Sequence, residues 1–143
     1  MNPTPAHCAT ACKPLRHTHA ILLVVEDELM IRSSLLWMLN AQGYHALLAA
    51  SGERALAMIK ALGSEFFSVL IADVNLPGMG GIQLAAELRA IRPGMRTLFV
   101  SRMSKEKFTE MGADMSQAAF VPKPLNTDQI IAALHGLLKG QSY

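Results

Sequence analysis

The sequence predicts an α/β domain, a doubly wound five-stranded parallel sheet with helices on both faces. Three observations predict it. Short aliphatic runs alternate five times with segments of helical periodicity. The runs are dominated by apolar residues, as strands covered on both faces must be. Glycine, proline and acidic residues break the chain between them. Alternation of this kind gives a parallel sheet with right-handed crossovers.

Taken in order, Ala20–Val25 is the first strand, stopped by Glu26-Asp27-Glu28. Leu29–Ala41 then places Ile31, Leu35, Leu36, Met38 and Leu39 at helical spacing, and Gly43 suits the left-handed position that ends such a helix. Tyr44–Ala49 is a short strand. Ser51 suits an N-cap for a helix over Gly52–Leu62, with Ala55, Leu56, Met58 and Ile59 apolar. Phe67–Ala72 is the third strand and runs into Asp73. A loop holding Pro77, Gly78, Gly80 and Gly81 precedes a helix to Ile91, which Pro93-Gly94 breaks. Met95–Val100 is the fourth strand, ending at Ser101. A shorter helix covers Lys105–Met111, Ala118–Val121 is the fifth strand, and Thr127–Leu138 is a last helix after Lys123-Pro124. Trp37 and the nine methionines read as core filling or scattered surface.

Composition bounds the function. The 143 residues, 51% hydrophobic, suit one domain over 20–140 with a flexible N-terminal extension over 1–19, and leave no room for a second, output domain. The formal charge of +2 is not gathered on one element, so direct nucleic-acid binding is not expected. Cys8 and Cys12 lie in the extension and imply no disulfide framework. His7, Cys8, Cys12, His17 and His19 match no closed zinc pattern. No run reaches the ~18 apolar residues of a membrane span, and no apolar stretch before Ile21 suggests a secretory signal. A cytoplasmic protein without a membrane partner is the expectation.

In open parallel sheets, ligands bind outside the carboxyl ends of the strands. Those ends carry Glu26-Asp27, Asp73, Ser101 and Lys123. Carboxylates gathered at one mouth repel and need cationic compensation. Lys123 supplies one positive charge. A hard divalent cation such as Mg²⁺, which takes oxygen ligands and is usually held by one or two carboxylates plus phosphate oxygens, is the natural second. Such a mouth suits phosphoryl transfer: an aspartate can act as the nucleophile, the cations neutralise charge on the phosphoryl oxygens, and the Ser101 hydroxyl can donate to one of them.

The stretches LLVVEDE, DVNLPGMGG, VS and FVPKP, with GAD at 112–114, resemble the receiver domain of two-component response regulators, in its single-domain, chemotaxis-regulator-like form, over residues 20–140. The resemblance implies a flavodoxin-like strand order 2-1-3-4-5. It implies that Asp73 is the phosphoacceptor, catalysing its own phosphorylation and dephosphorylation without being an enzyme on another substrate. Asp27 would bind Mg²⁺ directly, Glu26 through a metal-bound water, and the Asn75 backbone carbonyl would complete the protein ligands beside Asp73. Lys123 would contact the phosphoryl group. Ser101 and the aromatic Phe120 would form the switch, shifting Lys105–Met111, the fifth strand and the last helix as one two-state element. Pro124 matches a position where a cis Lys–Pro bond is common in the family, and X–Pro is where a cis bond costs least. The implied partners are a histidine kinase or histidine phosphotransfer protein, a separate downstream effector, and a second copy pairing transiently through the switch surface.

Two positions depart from the family. Arg102 follows Ser101 where a small residue is usual, and so bears on phosphorylation and hydrolysis rates. Gly80 stands where an acidic or polar residue is common. Arg102 keeps open an alternative, an unphosphorylated pseudo-receiver acting as a constant docking module. A phosphohydrolase of the haloacid-dehalogenase type needs an acid two residues after its nucleophile, and Asn75 stands there. Nucleotide binding is disfavoured because the turn after the first strand is acidic and lacks phosphate-cradling glycines.

Overall fold

The structure, a computed structural model, describes residues 20–139. The extension expected over 1–19, with its His and Cys side chains, lies outside them. Strands β1 (Ile21–Val25), β2 (His45–Ala49), β3 (Val69–Asp73), β4 (Arg96–Ser101) and β5 (Ala118–Pro122) alternate with helices α1 (Leu29–Ala41), α2 (Gly52–Leu62), α3 (Gly81–Ile91), α4 (Lys105–Glu110) and α5 (Thr127–Leu138). All strand pairs are parallel, in the order β2-β1-β3-β4-β5. The chain runs outward from β1 to β2 and then crosses back to β3, so the strand order reverses between β1 and β3. A crevice at the carboxyl ends opens at such a reversal.

Side-chain alternation along the strands divides the core into two layers. Leu22, Val24, Val69, Ile71, Leu98 and Val100 face α1 and α5, meeting Leu35, Leu39, Ile130 and Leu134. Leu23, Val25, Leu70, Ala72 and Phe99 face α2, α3 and α4, meeting Ile59, Leu84, Leu88 and Phe108. Burial on both faces is why the middles of β1, β3 and β4 are apolar. Trp37, 76% exposed, belongs to the surface of α1 and not to either layer.

Local chemistry sets the helix ends. Ser51 Oγ accepts the Arg54 N–H (3.1 Å), Ser104 Oγ the Lys107 N–H (3.1 Å) and Asn126 Oδ1 the Gln129 N–H (3.0 Å), capping α2, α4 and α5. Gly43 has φ +89°, and its N–H reaches the Asn40 carbonyl at 3.0 Å to end α1 as expected. Arg89 of α3 crosses to Asp114 in the α4–β5 loop, Nη1 to Oδ2 2.6 Å.

Several boundaries differ by one or two residues from the sequence reading. Phe67 is buried but precedes the ladder, its carbonyl taken by Arg92 Nη1, so β3 begins at Val69. Strands β3, β4 and β5 each run one residue further than expected, because Asp73 pairs with Val100 and Ser101 with Pro122 in register. Two polar residues expected just past their strands are therefore their last paired members. A short 3₁₀ turn at Ser64–Phe66 was not expected, and α4 ends at Glu110.

Candidate functional site

The β1–α1 loop brings the acidic residues to the crevice. Glu26 follows the last residue of β1, is wholly buried, and has its N–H bonded to the Ala49 carbonyl at 3.1 Å. Its Oε2 accepts the Glu28 N–H at 3.1 Å. Arg32, one turn into α1, donates from Nη1 to the Glu26 carbonyl (2.8 Å) and to the Asp27 carbonyl (3.4 Å). The loop is thus held by its own helix, with the Asp27 side chain exposed at the mouth.

The β3–α3 loop holds Asp73. Its Oδ1 accepts the Asn75 N–H at 3.0 Å. Gly81 begins α3 so close to the strand end that an added Cβ would overlap the Asp73 carbonyl oxygen, which is the physical reason for glycine there. On the far side of the loop, Glu53 of α2 accepts the Met79 N–H at 3.1 Å.

Lys123, directly after β5, closes the site. Its Nζ donates to Asp73 Oδ2 (2.8 Å) and Glu26 Oε1 (3.0 Å), and its side chain is 4% exposed. Burial works against its charged form, but the hydrogen bonds to Asp73 and Glu26 prevail and hold the ammonium above its ordinary pKa. Glu26 is pushed above its ordinary value, chiefly by burial, with the Asp73 charge adding and Lys123 opposing. The amine is shared between two buried carboxylates and fully satisfies neither.

Carboxylate oxygens of Glu26, Asp27 and Asp73 lie within 4.8 Å of one another. Three carboxylates against one ammonium leave two negative charges, which one divalent cation balances. The donors are all oxygen, the preference of Mg²⁺ or Ca²⁺ and not of zinc. A cavity of about 180 Å³, lined by Asp27, Glu28, Asp73, Asn75, Arg102 and Lys123, opens over the cluster.

The other expected residues sit at its margin. Ser101 is buried beside the site, but its Oγ accepts the Met103 N–H at 3.1 Å. Phe120, half-buried in β5, stacks on Phe108 of α4 with centroids 4.7 Å apart and planes 24° apart. Phe108 in turn meets Phe99 at 5.1 Å. The Lys123–Pro124 peptide bond is cis. Sequence reasoning missed Arg32, Glu53 and the pairing of Arg102 Nη2 with Glu28 Oε1 (3.3 Å). Arg32 holds backbone carbonyls, and the partners of Glu53 and Arg102 lie 26 and 74 residues away, so none of the three left a local signal.

Comparison with known proteins agrees with this geometry. The family model described as the response regulator receiver domain matches residues 22–135. Sensor kinase CckA of Brucella abortus is 33% identical over 122 residues, 85% of this chain and 13% of the kinase. The chain spans about half the length of two further relatives, RegX3 of Mycolicibacterium smegmatis and CreB of Escherichia coli, at 28% and 29% identity. Among solved structures, the Vibrio cholerae chemotaxis protein CheY4 superposes with TM-score 0.74 at 26% identity, covering 83% of this chain and 98% of that one. The Thermotoga maritima response regulator TrrA, in complex with Mg(2+)-BeF, gives TM-score 0.70 at 27% identity, covering 83% and 99%. With the strand order, the acidic crevice and these matches together, the chain belongs to the response regulator receiver domains of two-component systems.

Proposed function

We propose that this receiver accepts a phosphoryl group on Asp73 from a phosphohistidine of a histidine kinase or phosphotransfer protein, and that acceptance changes a surface read by a separate effector. The observation that carries the proposal is the Lys123 amine, buried and bonded to both Asp73 and Glu26, beneath a cavity open to solvent. A carboxylate needed only for the fold would not require an open approach.

In the step itself a carboxylate oxygen of Asp73 attacks phosphorus. The bond from phosphorus to the donor nitrogen breaks, and that nitrogen leaves with the electron pair. Lys123 is placed to neutralise charge on the phosphoryl oxygens. The Asn75 N–H fixes the carboxylate's rotation. Glu26, Asp27, Asp73 and the Asn75 carbonyl would hold Mg²⁺, which when bound supplies the remaining positive charge. A turn of the Ser101 side chain away from the Met103 N–H would let its hydroxyl donate into the site, and the ring of Phe120 on Phe108 would link that movement to α4. The surface of α4, β5 and α5 would then meet the effector or a second copy.

The test is incubation with acetyl phosphate, an acyl phosphate small enough to need no protein docking. Wild type should gain one phosphoryl mass with Mg²⁺ and none with chelator, and Asp27→Asn should lose most of the gain. Wild type left unmodified in excess donor and Mg²⁺ would contradict the proposal and favour a constant docking module.

A further inference from the structure

The mouth of the crevice holds one cation that the acceptor chemistry above does not use. Arg102, on the loop after β4, lines the acidic cavity with Asp73 and Lys123. It also lines an apolar groove of about 560 Å³ on the outer side, with Ile31, Met38, Pro124 and Leu125. Its side chain therefore borders both the cavity over Asp73 and the groove. Arg102 Nη2 lies 3.3 Å from Glu28 Oε1, and the two side chains are 69% and 48% exposed. An exposed, single-contact pair of this kind contributes little and is readily exchanged.

We infer that Arg102 is a further phosphoryl-contacting residue, parked on Glu28 while Asp73 is unmodified and transferred to the phosphoryl oxygens once Asp73 carries them. The inference rests on Asp73 being the acceptor. Charge decides the exchange. Phosphorylation replaces one negative charge at Asp73 by about two with three acceptor oxygens, while Glu28 keeps one charge and two oxygens. A guanidinium presents five donors in a planar fork suited to phosphate and matches the new partner better than the old. With Mg²⁺ bound, Lys123 and the ion already balance Glu26, Asp27 and Asp73, so the charge that phosphorylation adds calls for a further cation.

The consequence is a longer-lived phosphoryl group. In hydrolysis a water oxygen attacks phosphorus, the bond from phosphorus to the Asp73 oxygen breaks and the carboxylate leaves with the electron pair; one water proton stays on the attacking oxygen and the other passes to a phosphoryl oxygen, giving dihydrogen phosphate. Arg102 drawn over the phosphoryl group occupies the solvent-facing approach for that water, with the apolar groove behind it. Glu28 competes for the same guanidinium and so shortens the lifetime.

The experiment loads wild type, Arg102→Ala, Arg102→Lys and Glu28→Gln with acetyl phosphate and Mg²⁺, removes the donor and follows loss of the phosphoryl mass. Arg102→Ala should decay at least threefold faster than wild type. Arg102→Lys, which keeps the charge without the fork, should fall between them. Glu28→Gln should decay no faster than wild type. Raising NaCl should shorten the wild-type lifetime and leave Arg102→Ala unchanged, a readout that loss of a purely structural contact would not move. Arg102→Ala decaying like wild type or more slowly, or Glu28→Gln decaying faster than wild type, would overturn the inference. Wild type that never loads would instead overturn the acceptor reading.

Discussion

Lys123 carries the heaviest electrostatic duty of any single side chain described here. Its amine stands between Glu26, which has no solvent exposure, and Asp73, which has almost none. Taking one partner from a buried charged set leaves the others desolvated and unpaired. Lys123→Ala should therefore destabilise the fold by about 1–3 kcal/mol in chelator. Glu26 can escape part of the cost by taking up a proton, since burial already raises its pKa and loss of Lys123 removes what opposes that rise. Adding Mg²⁺ should restore part of the loss. Urea unfolding with chelator and with Mg²⁺ checks this, and equal stability of the variant and wild type in chelator would contradict it. Glu26, Asp27, Asp73 and Lys123 were legible in the sequence because each directly follows or ends an apolar run, and a parallel sheet gathers those ends. Arg32 was not, because its job is to hold backbone carbonyls of a neighbouring loop, and a backbone acceptor has no residue identity to read.

Among the elements, the β3–α3 turn shows how closely Asp73 is built into the fold. Helix α3 starts against the Asp73 carbonyl, with the Gly81 N–H bonded to the Val74 carbonyl at 3.1 Å. A methyl group at Gly81 has no room, and its neighbour is backbone that cannot swing aside. Gly81→Ala should lower stability by about 1–3 kcal/mol, the usual range for overpacking, and reduce phosphorylation of Asp73 by shifting the strand end. Thermal melting and phosphorylation yield measure the two effects; an unchanged melt would mean that α3 moves away without strain. From sequence this turn was a glycine-rich loop and nothing more. Which of Gly78, Gly80 and Gly81 is sterically required depends on how near α3 comes to β3, a distance set by packing of Leu84 and Leu88 on the sheet. The Ser51 cap was legible because its Oγ reaches an N–H only three residues on, whereas the strand ends slipped by a residue because ladder pairing is a property of two chain segments.

At the scale of the whole molecule, the sheet order places the acidic loop after β1 beside the Asp73 loop after β3, and places Lys123 after β5 across β4 from them. The fold class was readable from alternation and apolar strands alone; the strand order followed from the family resemblance, since periodicity says nothing about which strands are neighbours. All the chemistry assigned to this molecule depends on Asp73 being the nucleophile among three clustered carboxylates. The most direct measurement is to load the protein with acetyl phosphate and Mg²⁺, reduce the acyl phosphate with borohydride, and map the reduced residue by peptide mass spectrometry. Reduction should fall at position 73 in wild type, and Asp73→Asn should carry none. A reduced residue at position 26 or 27, or loading that persists in Asp73→Asn, would contradict the account.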